Sequence, residues 1–304
     1  MEDRIKKYLN IPKNNFVIFL FHGVIEKNLF EIRNYTKKHI LKKEFVKILR
    51  LLKKKGNVLS LDEIVFYIKN NINLPKNTYA ITFDDGFENN YSLAAPILDD
   101  LNLPSTFYFS TDFIENNTMS WIDKIEYCVE LKKKGEVYIP WLRGKIKFNS
   151  RKSKIYLLEN IRYFVKNNFG FNINNFVNNF FYQCNIKIIS HSNINIDKKI
   201  NWKQTNLLKN HRLFKVGGHS HEHLSLGLLS RSQSTLQIRR SLALFKKRIN
   251  LNLEHYSYPE GRQVDYNKSI ITTLKSSGIK LCPTAIEGKN NLNTSLFDLK
   301  RVLI

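Results

Sequence analysis

Residues 79–91, YAITFDDGFENNY, place two adjacent carboxylates and a glycine directly behind an apolar run. The run TYAITF (78–83) reads as a buried strand, so Asp84, Asp85 and Gly86 fall where that strand ends. Neighbouring like charges repel unless a cation or a proton relieves them. Asp-Gly pairs also make ordinary turns at strand ends, so the stretch alone leaves both readings open.

Working outward, short β-rich runs alternate with helical patterns. NFVIFLF (15–21) reads as a strand, and LKKEFVKILRLLKKKG (41–56) as an amphipathic helix ending on a glycine. SLDEIVFYIKN (60–70) opens with Ser60 and carries Glu63 in capping-box position. After TYAITF come a helix from about 89 to 100 and the strand STFYFST (105–111). The rhythm resumes with LFKVGG (213–218), a helix near 231–249, HYSY (255–258) as a strand, a helix near 266–277 and GIKLCPT (278–284) as a strand. Such βα repetition builds a parallel sheet or barrel. Residues 113–210 break it with mostly helical stretches and one hairpin candidate, EVYIPWLRGKIKF. A plain loop of that length does not suit a compact domain. The expected organisation is therefore 1–112 as the first part of a barrel, 113–210 as an inserted helical lid, and 211–304 as the second part.

Of the 304 residues, 42% are hydrophobic and 12% aromatic, ample for a packed core. The net charge of +23 comes from lysines scattered over many segments, without a zinc-finger, RRM or helix-turn-helix pattern. We read it as a solvated basic surface rather than a nucleic-acid interface, with attraction to anionic lipid or a phosphate-bearing substrate as the second reading. Cys128, Cys184 and Cys282 lie far apart without CxxC spacing, against a disulfide framework or a thiolate metal site. The apolar run at residues 16–21 is too short for a signal-peptide core or a membrane span, which gives a cytoplasmic expectation, with possible contact to the inner membrane face.

Reactive side chains in βα folds gather where strands end. Four clusters lie at such ends: His22-Gly23, Asp84-Asp85-Gly86, His219 and His223 in GGHSHEHLSL, and SYPEG (257–261). Histidines at i and i+4 can offer both imidazoles to one ion, and a carboxylate completes a two-His, one-carboxylate site with open positions. One of Asp84 and Asp85 would ligate and the other remain as a base.

TFDDG (82–86), HSHEH (219–223) and SYPEG, in that order, resemble the NodB-homology polysaccharide deacetylases, carbohydrate esterase family four; FHGV (21–24) is similar to an opening segment of many members. The resemblance covers roughly 14–112 and 211–304. It implies a distorted (β/α) barrel of about seven strands. Asp85, His219 and His223 would hold a divalent metal, usually zinc, with cobalt, nickel, manganese or iron as alternatives. Asp84 would be the general base, the amide of Glu260 an oxyanion donor, and Tyr258 a substrate-side neighbour. A bound cation can bring the pKa of its water from about 15.7 to about 7, in keeping with that division. Two departures stand out. Ser257 occupies the position of an arginine that orients the base, so Arg301 is the candidate replacement. The late Leu-x-His that supplies a general acid is missing, so His22 is the candidate acid, with His221 and His255 weaker.

The lid aromatics Trp121, Tyr127, Trp141 and Phe181 are candidates for a saccharide platform, without assigned contacts. The function implied is N-deacetylation of an amino sugar in surface-polysaccharide biosynthesis, on a nucleotide- or lipid-linked glycan, with removal of a formyl group as a variant. The rival is a degraded barrel that binds saccharide without hydrolysing it, suggested by the two departures. A non-haem iron oxygenase would use the same ligand types, but suits a jelly roll better than this βα pattern.

Overall fold

The computed structural model describes residues 2–168, 170–191 and 194–304. Its strands are β1 (Asn15–Phe21), β2 (Gly23–Ile25), β3 (His39–Leu41), β4 (Asn57–Val58), β5 (Thr78–Phe83), β6 (Ser105–Phe109), β7 (Gly135–Ile139), β8 (Gly144–Phe148), β9 (Phe214–Gly218), β10 (Asn290–Asn291) and β11 (Arg301–Leu303). The helices are α1 (Glu2–Lys6), α2 (Lys42–Lys55), α3 (Leu61–Lys69), α4 (Ala95–Asp100), α5 (Thr111–Asn116), α6 (Trp121–Leu131), α7 (Arg151–Asn167), α8 (Ile173–Cys184), α9 (Trp202–Lys209), α10 (Arg231–Ile249) and α11 (Lys268–Ser276).

β1 and β5 are buried along nearly their whole length, as continuous apolar runs must be when both faces of a parallel sheet are covered. They pair in parallel from Phe16↔Thr78 to Phe21↔Phe83. β6 extends the sheet from β5, β9 extends it from β6, and β11 lies on the other side of β1. Single parallel bridges carry the ring onward, Gly218↔Tyr256, His255↔Leu281 and Pro283↔Leu299, so the segments 255–258 and 281–284 lead round to β11. The result is a mixed α/β fold built on a parallel sheet, consistent with the distorted barrel expected from the sequence. The segments 255–258 and 278–284 are not the regular strands expected, however. Pro259 and Pro283 lack ladder donors, and the amide of Cys282 turns to the carbonyl of Leu296.

Local signals read in the sequence are realised in detail. Ser60 and Glu63 form a reciprocal capping box on α3. The helix expected over 89–100 begins as a π-helical turn, Asn90–Ala94, that runs into α4. Asn90 Nδ2 donates to the His22 carbonyl at 2.6 Å, and Asn89 Oδ1 accepts from the Val24 amide at 3.1 Å. The turn thereby ties the end of β1 to the segment behind Asp85.

Residues between β6 and β9 are mostly helical, with β7 and β8 forming the antiparallel hairpin. A second apolar cluster runs there from Ile122 to Cys184, joined by Ile32 and, at its edge, Tyr35 from the 26–38 loop. Ile114, Ile200 and Leu208 instead pack in the barrel's cluster, because α9 lies against β9 as the last helix before that strand. Among the described residues no helix is long and apolar enough to cross a membrane.

Gly217 sits where β9 passes its neighbours most closely: a Cβ there would lie 2.5 Å from Tyr108 Cδ1 and 2.9 Å from the His255 carbonyl. Gly217→Ala is expected to cost about 1–3 kcal/mol by overpacking, read as a lowered urea midpoint. An unchanged midpoint would contradict this reading of the strand's close approach.

Candidate active site

Parallel strands deliver their C-terminal ends to one mouth of a barrel. The Asp84 amide donates to the Phe21 carbonyl at 3.0 Å, the His219 amide to Phe109 at 3.0 Å, and the Ser257 amide to Gly218 at 2.8 Å. Each of these motifs therefore stands on the last rung of the ladder beside it. Asp85, His223 and Glu260 all adopt positive φ, 74°, 56° and 61°. L-residues pay roughly 1–2 kcal/mol for that region, and such strain collects at functional sites.

The adjacent carboxylates turn to different partners. Asp84 is buried and receives a two-pronged contact from Arg301, Nη1 to Oδ1 at 2.8 Å and Nη2 to Oδ2 at 2.7 Å. Arg301 Nε donates to the Thr284 carbonyl at 2.5 Å, and Ser257 Oγ reaches Asp84 Oδ1 at 3.4 Å. Burial pushes the Asp84 carboxyl up, but the Arg301 charge with help from His219 outweighs it and leaves the group below the usual carboxylate range. Asp85 instead faces the histidines. Its Oδ1 is 3.1 Å from His223 Nε2 and 3.7 Å from His219 Nε2. Burial works against ionisation here too, and His223 overrides it, holding Asp85 well below its ordinary value.

The ligand atoms of Asp85, His219 and His223 lie within 4.8 Å of one another, a possible metal site. The donors fit a borderline-soft divalent ion. His219 Nδ1 lies 2.9 Å from the Ser257 carbonyl and 2.6 Å from Ser257 Oγ. Donation from Nδ1–H to that carbonyl leaves the Nε2 lone pair facing the two carboxylates, 3.7 Å from Asp85 Oδ1 and 3.8 Å from Asp84 Oδ2, the outer-shell pattern typical of metal-ligating histidines. Burial lowers the His219 pKa to about 4, so this ring is neutral and ready to ligate. His223 differs: burial would lower it, but the Asp85 carboxylate raises it above the ordinary histidine value.

The remaining expected residues divide. His22 lines the cavity beside these groups, its Nδ1 buried without a partner among the described residues, and burial lowers its proton affinity. Glu260 also lines the cavity; its carboxylate pairs with Lys166 Nζ at 2.5 Å, and its amide donates to no group among the described residues. Tyr258 is a correction. It is fully buried, stacks on Tyr266 with ring centroids 4.4 Å apart and donates its hydroxyl to the Phe297 carbonyl, because its ring fills the core behind the loop. His221 bonds Thr111 Oγ1 and His255 bonds Asp62, both away from the metal cluster. Of the four lid aromatics only Trp121 lines the cavity. Trp141 stacks on Phe164, Phe181 is buried in the second cluster and Tyr127 lies under Arg33.

The cavity holds about 590 Å³, and the insert supplies part of its wall through Trp121, Arg162 and Lys166. These cavity residues follow no short motif, so only the three-dimensional return of α6 and α7 to the barrel mouth reveals them. A wider groove of about 1110 Å³ between α10 and α11 lies apart from these groups.

A profile of the polysaccharide deacetylases matches residues 71–139 and 168–282, more than half of the chain and including all three motifs. The chain belongs to the polysaccharide deacetylase family, and its enzyme class is that of a sugar N-deacetylase. The match also reaches into 113–139 and 168–210, which the motif resemblance left outside. Among solved structures, the Streptococcus pyogenes deacetylase PplD in complex with acetate superposes with a TM-score of 0.60 at 18% identity, covering 95% of this chain and 92% of that one. IcaB from Ammonifex degensii gives 0.60 at 16% identity, with 96% and 92% covered. A de-N-acetylase from Aggregatibacter actinomycetemcomitans gives 0.60 at 14% identity, with 95% of each chain covered. At such identities these likenesses speak for the fold. No curated protein matches this chain by sequence.

Arg301→Met leaves a buried carboxylate without its cation and is expected to cost about 3–5 kcal/mol, measured by urea unfolding at pH 7. Asp84 has a depressed folded-state pKa, so the pair's contribution is present above the unfolded value near 4 and is lost as pH falls through the folded value. The deficit of the variant should therefore shrink on acidification below about pH 4. A deficit independent of pH would contradict this account of Asp84.

Proposed function

We propose that this chain is a metal-dependent N-deacetylase of an amino sugar in cell-surface polysaccharide biosynthesis, with zinc held by Asp85, His219 and His223. The observation that carries the reading is the division of labour between adjacent carboxylates, Asp85 facing two imidazoles and Asp84 gripped by Arg301. Bound zinc would supply Lewis-acid polarisation of the amide carbonyl and a lowered water pKa.

Asp84, kept ionised and oriented by Arg301, takes the proton of the attacking water as general base. The free amide of Glu260 donates to the oxygen on which negative charge develops. Burial lowers the proton affinity of His22, so it protonates the leaving nitrogen only after receiving the proton that Asp84 takes from the attacking water. The Arg301 contact weakens one ground for the degraded-barrel rival, the arginine absent at Ser257. The general-acid role is given in this reading to His22.

Acetate release from N-acetylated amino sugars with added zinc or cobalt is the primary test. Asp84→Asn should lower kcat by about 10²–10⁴-fold while the protein retains its metal. No acetate from any such sugar in the metal-loaded protein would favour the non-hydrolysing barrel.

Metal binding should also release a proton. The Asp85 carboxylate raises the proton affinity of His223, which must be neutral to ligate, whereas burial already lowers the His219 value to about 4. Zinc affinity is therefore expected to weaken as pH falls below the raised His223 value. Calorimetry in buffers of different ionisation enthalpy should show net proton release that grows as pH is lowered, and no release at any pH would contradict the assignment.

A further inference from the structure

Six cationic side chains line the cavity against three carboxylates. Two of those carboxylates, Asp84 and Asp85, are engaged by Arg301 and the histidines, and the third, Glu260, is paired with Lys166. The cations are arranged with a consistent direction. Lys38 pairs with Asp123, Arg162 with Glu126 and Arg262 with Asp265, and in each pair the carboxylate is the more buried member and does not line the cavity. The acids stand behind the wall and the cations form it.

Several of these cations have donors to spare. Arg162 gives one terminal N–H to Glu126; its Nε is buried away from solvent, and its other terminal nitrogen hydrogen-bonds no group among the described residues. Lys37, at the rim, pairs with no group among the described residues. Arg262 differs, spending its guanidinium on Asp265, Asn167 and the Lys166 carbonyl, so it fixes the wall rather than offering donors. A neutral amino sugar would leave the free donors unused. Clefts lined by one sign of charge focus their field on a ligand of the other sign, and guanidinium and ammonium groups match phosphate oxygens closely.

We propose that this cavity contains a phosphate subsite, formed by Arg162, Lys166 and Lys38 with Lys37 at the rim, and that the sugar deacylated here carries a phosphate ester. The proposal rests on the deacetylase reading. Phosphate is the chemistry shared by nucleotide-linked and lipid-linked sugars, and a cavity of about 590 Å³ is within the usual size for such small ligands.

The test compares zinc-loaded enzyme on N-acetylglucosamine and on its 1-phosphate. The phosphorylated sugar is expected to have at least a tenfold higher kcat/KM at low salt, with the gap narrowing as salt rises. Lys37→Gln should reduce that ratio. The double variant Arg162→Gln, Glu126→Gln, which avoids stranding a buried carboxylate, should reduce it further. Equal kcat/KM for the two sugars, or a ratio that neither variant moves, would overturn the subsite. Calorimetric binding of both sugars separates this failure from failure of the deacetylase reading. Preferential binding of the 1-phosphate without acetate release leaves the subsite standing and sinks the activity; acetate release without preference does the reverse. A uridine diphosphate sugar and a short-chain polyprenyl diphosphate sugar, run in parallel, distinguish the two sources.

Discussion

The buried contact between Arg301 and Asp84 is what allows two neighbouring carboxylates to share one barrel mouth. Two unit charges about 4 Å apart repel by about 4 kcal/mol at an effective dielectric of 20. Burial adds the cost of desolvating each. Arg301 answers the first charge from β11, whose parallel register against β1 sets Arg301 beside Ile18 and its guanidinium under the end of β5. His219 and His223 answer the second from the end of β9. The two acids thus acquire different surroundings although one peptide bond separates them, and different surroundings are the physical basis for different roles.

The insert enters this picture through its return to the mouth. The end of α7 is fastened to the loop behind Ser257 by Lys166 to Glu260 and by Arg262 to the Lys166 carbonyl. Glu260 is also the residue whose amide faces the reaction in the proposed mechanism, held at a strained backbone angle. A change in how α7 docks would therefore be felt at that amide. On the opposite side, Lys38 pairs with Asp123 and Glu130 accepts three successive amides from residues 31–33, fastening the 26–38 loop to α6. The cavity is walled by elements anchored at both flanks.

Much of the barrel was legible in the sequence because continuous apolar runs, capping residues and strand-end motifs are local signals. TFDDG and HSHEH located the acids and imidazoles that the structure brings together, and the vacancy at Ser257 pointed to Arg301. Other features are decided by packing between distant segments. Tyr258 sits in the SYPEG motif, yet its ring is claimed by Tyr266 and its hydroxyl by Phe297, neither of which the motif could foretell. The segments 255–258 and 278–284 have strand-like composition, but proline and a competing loop carbonyl reduce their pairing to single bridges. The cationic wall could not be read from composition at all, because scattered lysines in the sequence give no hint of which ones converge.

Anomalous diffraction at the zinc edge from crystals of the zinc-loaded protein tests the central claim most directly. The account requires one peak bounded by Asp85 and the Nε2 atoms of His219 and His223 at about 2.0–2.2 Å, with Asp84 still on Arg301 and outside the coordination sphere. A peak that recruits Asp84 away from Arg301, or no peak between these three side chains, would contradict it.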